Sequence, residues 1–486
     1  MITETSARVI VAQKGYRSKV GIRALMCGAA AAFWLLLAGS LPLEAAVYYV
    51  SSGGTEAGDG SAAAPWNSVA KAIAAAGPGD TVILLPGTYA EPVSIDKRSG
   101  EAGAPIVFRA QGSVTATANW NIGTYSTPRH YIIVDGLRFT NAGLTSRGDY
   151  NIIQNCVFEG PSGGLGISWH PSADPPSANV VVRGNRFQNF GKVVVLNTGA
   201  KTSHVLIENN VWENLEGDAV RLFGRNHIFR GNVVRGVTET GWHADIFQVY
   251  DNNLEPSLNM LIEGNRFLDS TGSLCMIQNR GGTSEIGAWE WRNNLIVNVA
   301  GVCQISTPYF RFYNNTFVNS GKNTAGPILL RYDGDSEYSF AHDTTILNNI
   351  FSGCGSLGDG DGDGVGWYHF ADRPESTFYG LVADYNYVTK SASAGYGAKS
   401  GFEGKEPHGI NGGDPKFQNP ATYDFRLQAD SPGVDTGTRI SGFSVAIDGT
   451  TRPQGTAWDR GAYERAGARQ VTAPDPPKNF RLRAGQ

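Results

Sequence analysis

One short phrase recurs through the middle of this 486-residue chain: alternating apolar residues, an Asn, one further residue, then another apolar residue. Copies read Val182-Arg183-Gly184-Asn185-Arg186-Phe187, Ile207-Glu208-Asn209-Asn210-Val211-Trp212, Phe229-Arg230-Gly231-Asn232-Val233-Val234 and Ile262-Glu263-Gly264-Asn265-Arg266-Phe267. They continue through Asn294, Asn315 and Asn349, with weaker copies around Asp135, Asn155 and Asn386. From Asn155 onward the Asn-to-Asn steps are 30, 25, 22, 33, 29, 21, 34 and 37 residues. A constant phrase with variable spacing marks a solenoid whose coils share one strand-and-corner unit and differ in their loops.

The alternation has the period of a strand, and no helical stripe competes with it. Asn suits a corner because it tolerates left-handed backbone angles, and amides stacked coil on coil can bond into a ladder. Inward Val, Ile, Leu and Phe then form one apolar column that no single coil could bury. The expected fold is all-β: a parallel β-helix over residues of about 100 to 390, with the Asn of each phrase inward and stacked at one corner. Ahead of it, Val47 to Val50 reads as a strand, Asn67 to Ala76 as a short capping helix ended by Gly77-Pro78-Gly79-Asp80, and Thr81 to Leu85 as a buried strand.

Composition fits many tight corners and a stacked core: 62 glycines, 10% aromatic and only 17% charged residues. A net charge of −4 supplies no field for nucleic acid or an anionic membrane. Lys14, Arg17, Lys19 and Arg23 precede an apolar run from Ala24 to Ala38, followed by small residues at Gly39-Ser40 and Ala45-Ala46. That run of about 15 residues is short for a membrane span, so residues 1–46 read as a signal peptide and the mature chain as a secreted, monomeric protein free of the membrane. Residues 47–465 then form one domain, and the Pro-rich 466–486 a disordered tail. Cys275 and Cys303 fall at similar offsets from their Asn and should stack on neighbouring coils, as apolar core residues or as a disulfide.

Tyr48-Tyr49-Val50-Ser51 through Pro65-Trp66, then Gly79-Asp80-Thr81-Val82 and Pro86-Gly87-Thr88-Tyr89, resemble the opening of secreted right-handed parallel β-helix proteins of the pectate lyase-like superfamily. Ser431-Pro432 through Glu464 is similar to the ending of the same group. The resemblance implies that fold over residues of about 47 to 465, and it leaves the reaction open, since the fold hosts lyases, hydrolases, epimerases and adhesins. Chondroitinase B-like and alginate lyases of this group rely on a Lys base before a core Asn and an Arg in the next coil. Arg280 matches that Arg, but Glu255-Pro256-Ser257-Leu258 precedes Asn259 and no Lys lies between Lys201 and Lys322.

The densest chemistry lies on three successive coils, carrying Glu216 to Phe223, Trp242 to Tyr250 and Leu274 to Arg280. A polar row of Arg221, Gln248, Gln278 and Gln304 is expected along one face. His243 and Asp245 fall on one side of their strand, about 7 Å apart, with Gln248 opposite unless the strand bends. A uronate lyase must neutralise a carboxylate, remove the adjacent C5 proton and protonate the leaving oxygen. Arg221 or Arg280 would grip the acid, His243 oriented by Asp245 would be the base, and Trp242, Tyr250 and Trp289 would stack on sugars. Gln248, Gln278 and Asp218 complete the expected substrate surface. Three alternatives stand beside it: Asp218 with Asp245 as the carboxylate pair of an inverting hydrolase, a non-catalytic glycan-binding solenoid, and a structural role in which His243 and Asp245 pin a corner. The partner in each enzymatic case is a polysaccharide, acidic for a lyase. Asp359, Asp361 and Asp363 match the first half of a calcium loop, although Phe370 stands where its closing Glu belongs, and Ca²⁺ is the one cofactor the sequence suggests.

Overall fold

The computed structural model describes residues 45–160, 166–168, 176–240, 243–250, 256–280, 284–321, 326–354, 368–370, 379–389 and 406–466. Three long parallel sheets run along it, and each turn of chain adds one strand to each in the same order. The first sheet climbs from Val47–Thr55 through Val181–Arg183 and Leu261–Glu263 to Val382–Asp384. The second runs from Gly87–Tyr89 through Arg186–Phe190 to Tyr387–Val388 and Ile410–Asn411. The third runs from Val93–Ile95 through Asp245–Tyr250 and Ser273–Gln278 to Tyr368–Phe370. This is a parallel β-helix, right-handed as parallel crossovers are. It starts earlier than the repeats alone imply, because Val47 already pairs in register with Thr81.

The Asn row is the corner between the first and second sheets. Asn210 shows the pattern: its backbone N–H and its Nδ2 both donate to Oδ1 of Asn232, at 2.9 and 3.1 Å, while Nδ2 also donates to the Val182 carbonyl at 2.9 Å. Its own Oδ1 accepts the same two donors from Asn185. The ladder continues through Asn265, Asn294, Asn315, Asn349 and Asn386. Every amide is thereby satisfied in a dry interior, which an apolar residue of equal size could not achieve. Beyond Asn386 the Glu406 carboxylate takes the place of the next Asn, accepting the Asn386 backbone N–H and side-chain amide at 3.2 Å.

Two expectations about this corner need correction. The left-handed residue is the one before the ladder Asn, as at Gly184 (φ 64°), Asn209 (φ 55°) and Gly231 (φ 63°), so stacking and backbone reversal fall to different residues. Asn155 is likewise left-handed, and Cys156 occupies the ladder slot, its N–H donating to Oδ1 of Asn185 at 2.9 Å. The ladder therefore begins at Asn185.

Inside, Phe139, Phe158, Phe187 and Trp212 stack at centroid separations of 4.8 to 5.1 Å, the spacing of neighbouring strands. The helix Val69–Ala75, capped by the Ser68 side chain, buries Val69, Ala72 and Ile73 at the N-terminal end. The outer face of the second sheet changes character along its length. Early coils carry charge pairs such as Glu213 with Arg186 and Arg235. Later ones carry Leu295, Val297, Val318 and Ile350, which are buried beneath Phe417, Phe425, Leu427 and Tyr463 of the C-terminal segment. No helix among the described residues is long and apolar enough to cross a membrane.

Cys275 and Cys303 are register partners on adjacent strands of the third sheet and form a disulfide, so the thiol alternative is set aside. The bond closes a loop across a sequence separation of 28 residues. On chain entropy alone it contributes about 3 to 4 kcal/mol. A Cys275→Ala/Cys303→Ala double variant is expected to melt several degrees lower and to lose all sensitivity to reductant. Unchanged melting in that variant would mean the bond stabilises nothing.

Candidate functional site

The third sheet widens where the chemistry is densest. Asp245–Tyr250 and Ser273–Gln278 are six-residue strands, whereas Leu196–Asn197 and Val220–Arg221 have two residues each. Register follows the inward residues, with Val220 opposite Phe247, Phe247 opposite Cys275 and Cys275 opposite Cys303. The outward row is therefore Asn197, Arg221, Gln248, Met276 and Gln304. Gln278 lies opposite Tyr250 instead and is nearly buried, so the expected row is corrected at that position. Loops of unequal length precede these strands, so distance from the Asn does not report register.

The expected conflict at Gln248 is resolved by a bend. Ile246 and Phe247 are buried in succession, which breaks the alternation and turns Gln248 to the side that Asp245 occupies. Five side chains then form one network. His243 Nδ1 lies 3.0 Å from Asp245 Oδ2, and Gln248 Nε2 donates to that same oxygen at 3.2 Å. Gln248 Oε1 accepts from an Arg221 guanidinium nitrogen at 2.5 Å. Arg221 also donates twice to Asp218 Oδ2, at 3.0 and 2.6 Å, and Asp218 Oδ1 accepts the Asp245 backbone N–H at 3.2 Å. Tyr250 lies alongside, its hydroxyl accepting from Arg221 at 3.3 Å and its ring centroid 5.2 Å from the guanidinium carbon.

Burial assigns different parts within this network. The His243 side chain is 48% exposed, that of Asp245 is 0% and that of Asp218 is 2%. The hydrogen bond to Asp245 lifts the His243 imidazole above its ordinary value, with the nearby charges of Asp245, Glu239 and Asp218 acting the same way against partial burial. Burial lifts the Asp245 carboxyl above its usual range, opposed by its bond to His243. Both shifts describe a pair that holds its shared proton tightly, with the imidazole as the member reached by solvent. Ser273, the register partner of Asp245 on the next strand, was missed in the sequence, and its side chain also favours the ionised carboxylate.

Beside the network is a cleft of about 330 Å³ lined by Gln248, Tyr250, Met276, Gln278 and Arg280. Arg280 is exposed at its rim. His243, Asp245, Arg221, Gln248, Tyr250 and Arg280 are thus brought to one face, as expected. Asp218 is there too, but as the buried anchor of Arg221 rather than as a surface for substrate. Because Asp218 and Asp245 are both shut away from solvent, they do not form a carboxylate pair facing a water-filled gap, as inverting hydrolysis would need. Trp289 is fully buried between Trp291 and Phe310, so no sugar can stack on it. His227 is buried as well, accepting at Nδ1 from the Val205 N–H and facing the Phe223 carbonyl with Nε2; burial depresses it to about 4 and keeps it neutral. Trp242, Glu255 and the Asp359, Asp361, Asp363 loop lie outside the described residues, and the described residues hold no cluster of three or more metal-ligating side chains.

A family model described as a right-handed β-helix region matches residues 123–286. Pectate lyase L of Dickeya chrysanthemi is 27% identical over 165 residues, 30% of this chain and 37% of that protein. The chain thus matches little more than a third of the length of this curated relative. Among solved structures, pectate lyase Pel9A superposes over 86% of this chain and 96% of its own, at 17% identity and a TM-score of 0.48. XylC with xylose superposes over 86% and 98%, at 11% identity and a TM-score of 0.51. At these identities the structural likenesses concern the solenoid fold.

Proposed function

We propose that this chain, a pectate lyase-like parallel β-helix protein, is a polysaccharide lyase that cleaves an acidic, uronate-containing glycan by β-elimination. The observation that carries the reading is the half-exposed His243 imidazole, bonded through Nδ1 to the buried Asp245 on an outward sheet face beside two arginines. Bonding at Nδ1 leaves Nε2 directed away from Asp245 and able to accept a proton. His243 is then the base that removes the C5 proton and, as imidazolium, gives it to the departing oxygen as the C4–O bond breaks and the C4–C5 double bond forms, while Asp245 holds the tautomer and balances the transient charge. Arg280, exposed at the rim of the cleft, takes the substrate carboxylate. Neutralising that charge is what makes the C5 proton removable at all. Tyr250, exposed beside the cleft, offers a ring face to a sugar. The Cys275–Cys303 disulfide supports an oxidising compartment and hence an exported protein.

The test is a scan of the full chain against uronate polymers, including pectate, alginate and glycosaminoglycans. Unsaturated product absorbing near ~235 nm is the expected result of the elimination. New reducing ends without that absorbance would replace the reading with hydrolysis, and binding without turnover would replace it with a glycan-binding solenoid. The two arginines should separate. Arg280→Ala is expected to raise KM by about tenfold or more at unchanged melting temperature. Arg221→Ala should also lower stability, by about 3 kcal/mol, because it leaves the Asp218 carboxylate buried and unpaired.

A further inference from the structure

The Gln248 amide is the side chain that bridges the Arg221 guanidinium and the Asp245 carboxylate. Arg221 only donates and an ionised Asp245 only accepts, so the amide has one orientation that satisfies both: Oε1 toward the guanidinium and Nε2 toward Asp245 Oδ2. The Arg221 fork is itself locked from below by the two bonds to Asp218, and Asp218 also holds the Asp245 backbone N–H. A closed ring of hydrogen bonds thus runs from Arg221 through Gln248 to Asp245, and back through Asp218. His243 is the one member that projects from it. We propose that Gln248 is a positioning residue that relays the state of the Arg221 guanidinium to the His243–Asp245 pair, so that an acid group drawing on Arg221 is felt at the base through one amide. The proposal rests on the reading of His243 as the base.

The direction of the relay follows from charge. A hydrogen bond from Gln248 stabilises the bare Asp245 carboxylate more than a carboxylate already paired with imidazolium. It therefore lowers the affinity of the pair for its proton, and weakening it raises that affinity. Arg221 acts in the same sense, both as a nearby positive charge and by fixing the amide. When the carboxylate of a neighbouring uronate, beyond the one that Arg280 takes, neutralises Arg221 and loosens its bond to Gln248, the His243–Asp245 pair becomes the stronger base. Deprotonating power then rises only on an occupied site. The other charged groups facing the pair are Asp218 from the preceding coil and Glu239 from the loop before His243; Ser273 on the following strand adds a hydroxyl. None of these bridges Arg221 to Asp245 Oδ2 as Gln248 does.

A double-mutant cycle read by NMR titration of the His243 ring tests the relay without any ligand. Gln248→Met keeps the length of the side chain and removes both bonds, and Arg221→Gln removes the charge. Each single variant is expected to raise the His243 midpoint by about 0.5 to 1 pH unit. In the double variant the two shifts should fall short of adding by about 0.4 pH unit or more, beyond the scatter of independent sites. Additive shifts would overturn the relay, since Arg221 would then act through space alone, and so would a Gln248→Met midpoint equal to that of the unaltered chain. If Arg221→Gln does not fold, Arg221→Lys takes its place, keeping the charge but losing the fork to Gln248. The titration is independent of turnover, so failure of His243 as the base would appear in activity while the cycle stands.

Discussion

Replacing His243 with alanine is expected to lower turnover on the cleaved uronate polymer by about 10² to 10⁴-fold, far more than the loss of its bond to Asp245 changes the folded fraction. The side chain is half exposed and its sole hydrogen bond in the network is to Asp245, so its removal leaves no cavity in the core. Asp245→Asn should cost a similar factor for another reason. The amide can turn its nitrogen toward the ring, favouring the wrong imidazole tautomer. The pH profile carries the same signature. A base must be unprotonated, and the bond to Asp245 raises the His243 value, so activity should climb on the alkaline side of the ordinary imidazole value of about 6.5. Stability runs the opposite way. A histidine raised by its folded-state partner contributes fully below its unfolded value, and that contribution disappears as pH rises through the folded value. Parallel loss of melting temperature and activity in His243→Ala would mark the residue as structural and remove the proposed mechanism.

Asn232→Ala should destabilise the solenoid by about 3 to 6 kcal/mol, more than any single change on its outer surface. The substitution leaves four groups in a dry corner short of partners: the Asn210 backbone N–H loses its acceptor, Asn210 Nδ2 keeps only the Val182 carbonyl, the Ile207 carbonyl loses a donor, and Asn265 Oδ1 keeps only the backbone N–H of residue 232. Each buried unmade hydrogen bond costs about 1 to 3 kcal/mol. Neighbouring coils transmit the defect, since each buries its core only against the next. Asn214 is the proper comparison, being exposed and left-handed at φ 58°. Asn214→Gly keeps that conformation available and should shift stability by less than about 0.5 kcal/mol. Equal denaturant midpoints for the two variants would show that the ladder is decoration.

The repeating phrase made the architecture legible because a strand's period and a corner amide are local properties. Apolar alternation around Asn185, Asn210 and Asn232 required strands, and a recurring buried amide required a partner of its own kind above and below. Where Asn fills two adjacent slots, as at Asn209-Asn210, the phrase alone does not say which turns the chain and which stacks. At Asn155-Cys156 the Asn fills the turning slot and Cys the stacking one, so the ladder starts one coil later, at Asn185.

The site was legible as a set of residues and not as an arrangement. His243, Asp245, Arg221 and Arg280 stood out because charged and aromatic side chains interrupt a repetitive apolar pattern. Their order along the face depended on register, and register between parallel strands is set by the inward residues Val220, Phe247, Cys275 and Cys303 after loops of unequal length. Pairing those apolar positions across coils would have placed Met276, not Gln278, beside Gln248. By itself the sequence determined that this chain winds into a parallel β-helix with a stacked Asn corner, since period and composition act over a few residues. Only the tertiary structure decided that the strand bends at Ile246-Phe247, that Asp218 anchors Arg221 below the surface, that Trp289 belongs to the core and that Cys275 and Cys303 are bonded. Each of those depends on what a neighbouring coil places a few ångströms away, and that distance is not written in any one segment of the chain.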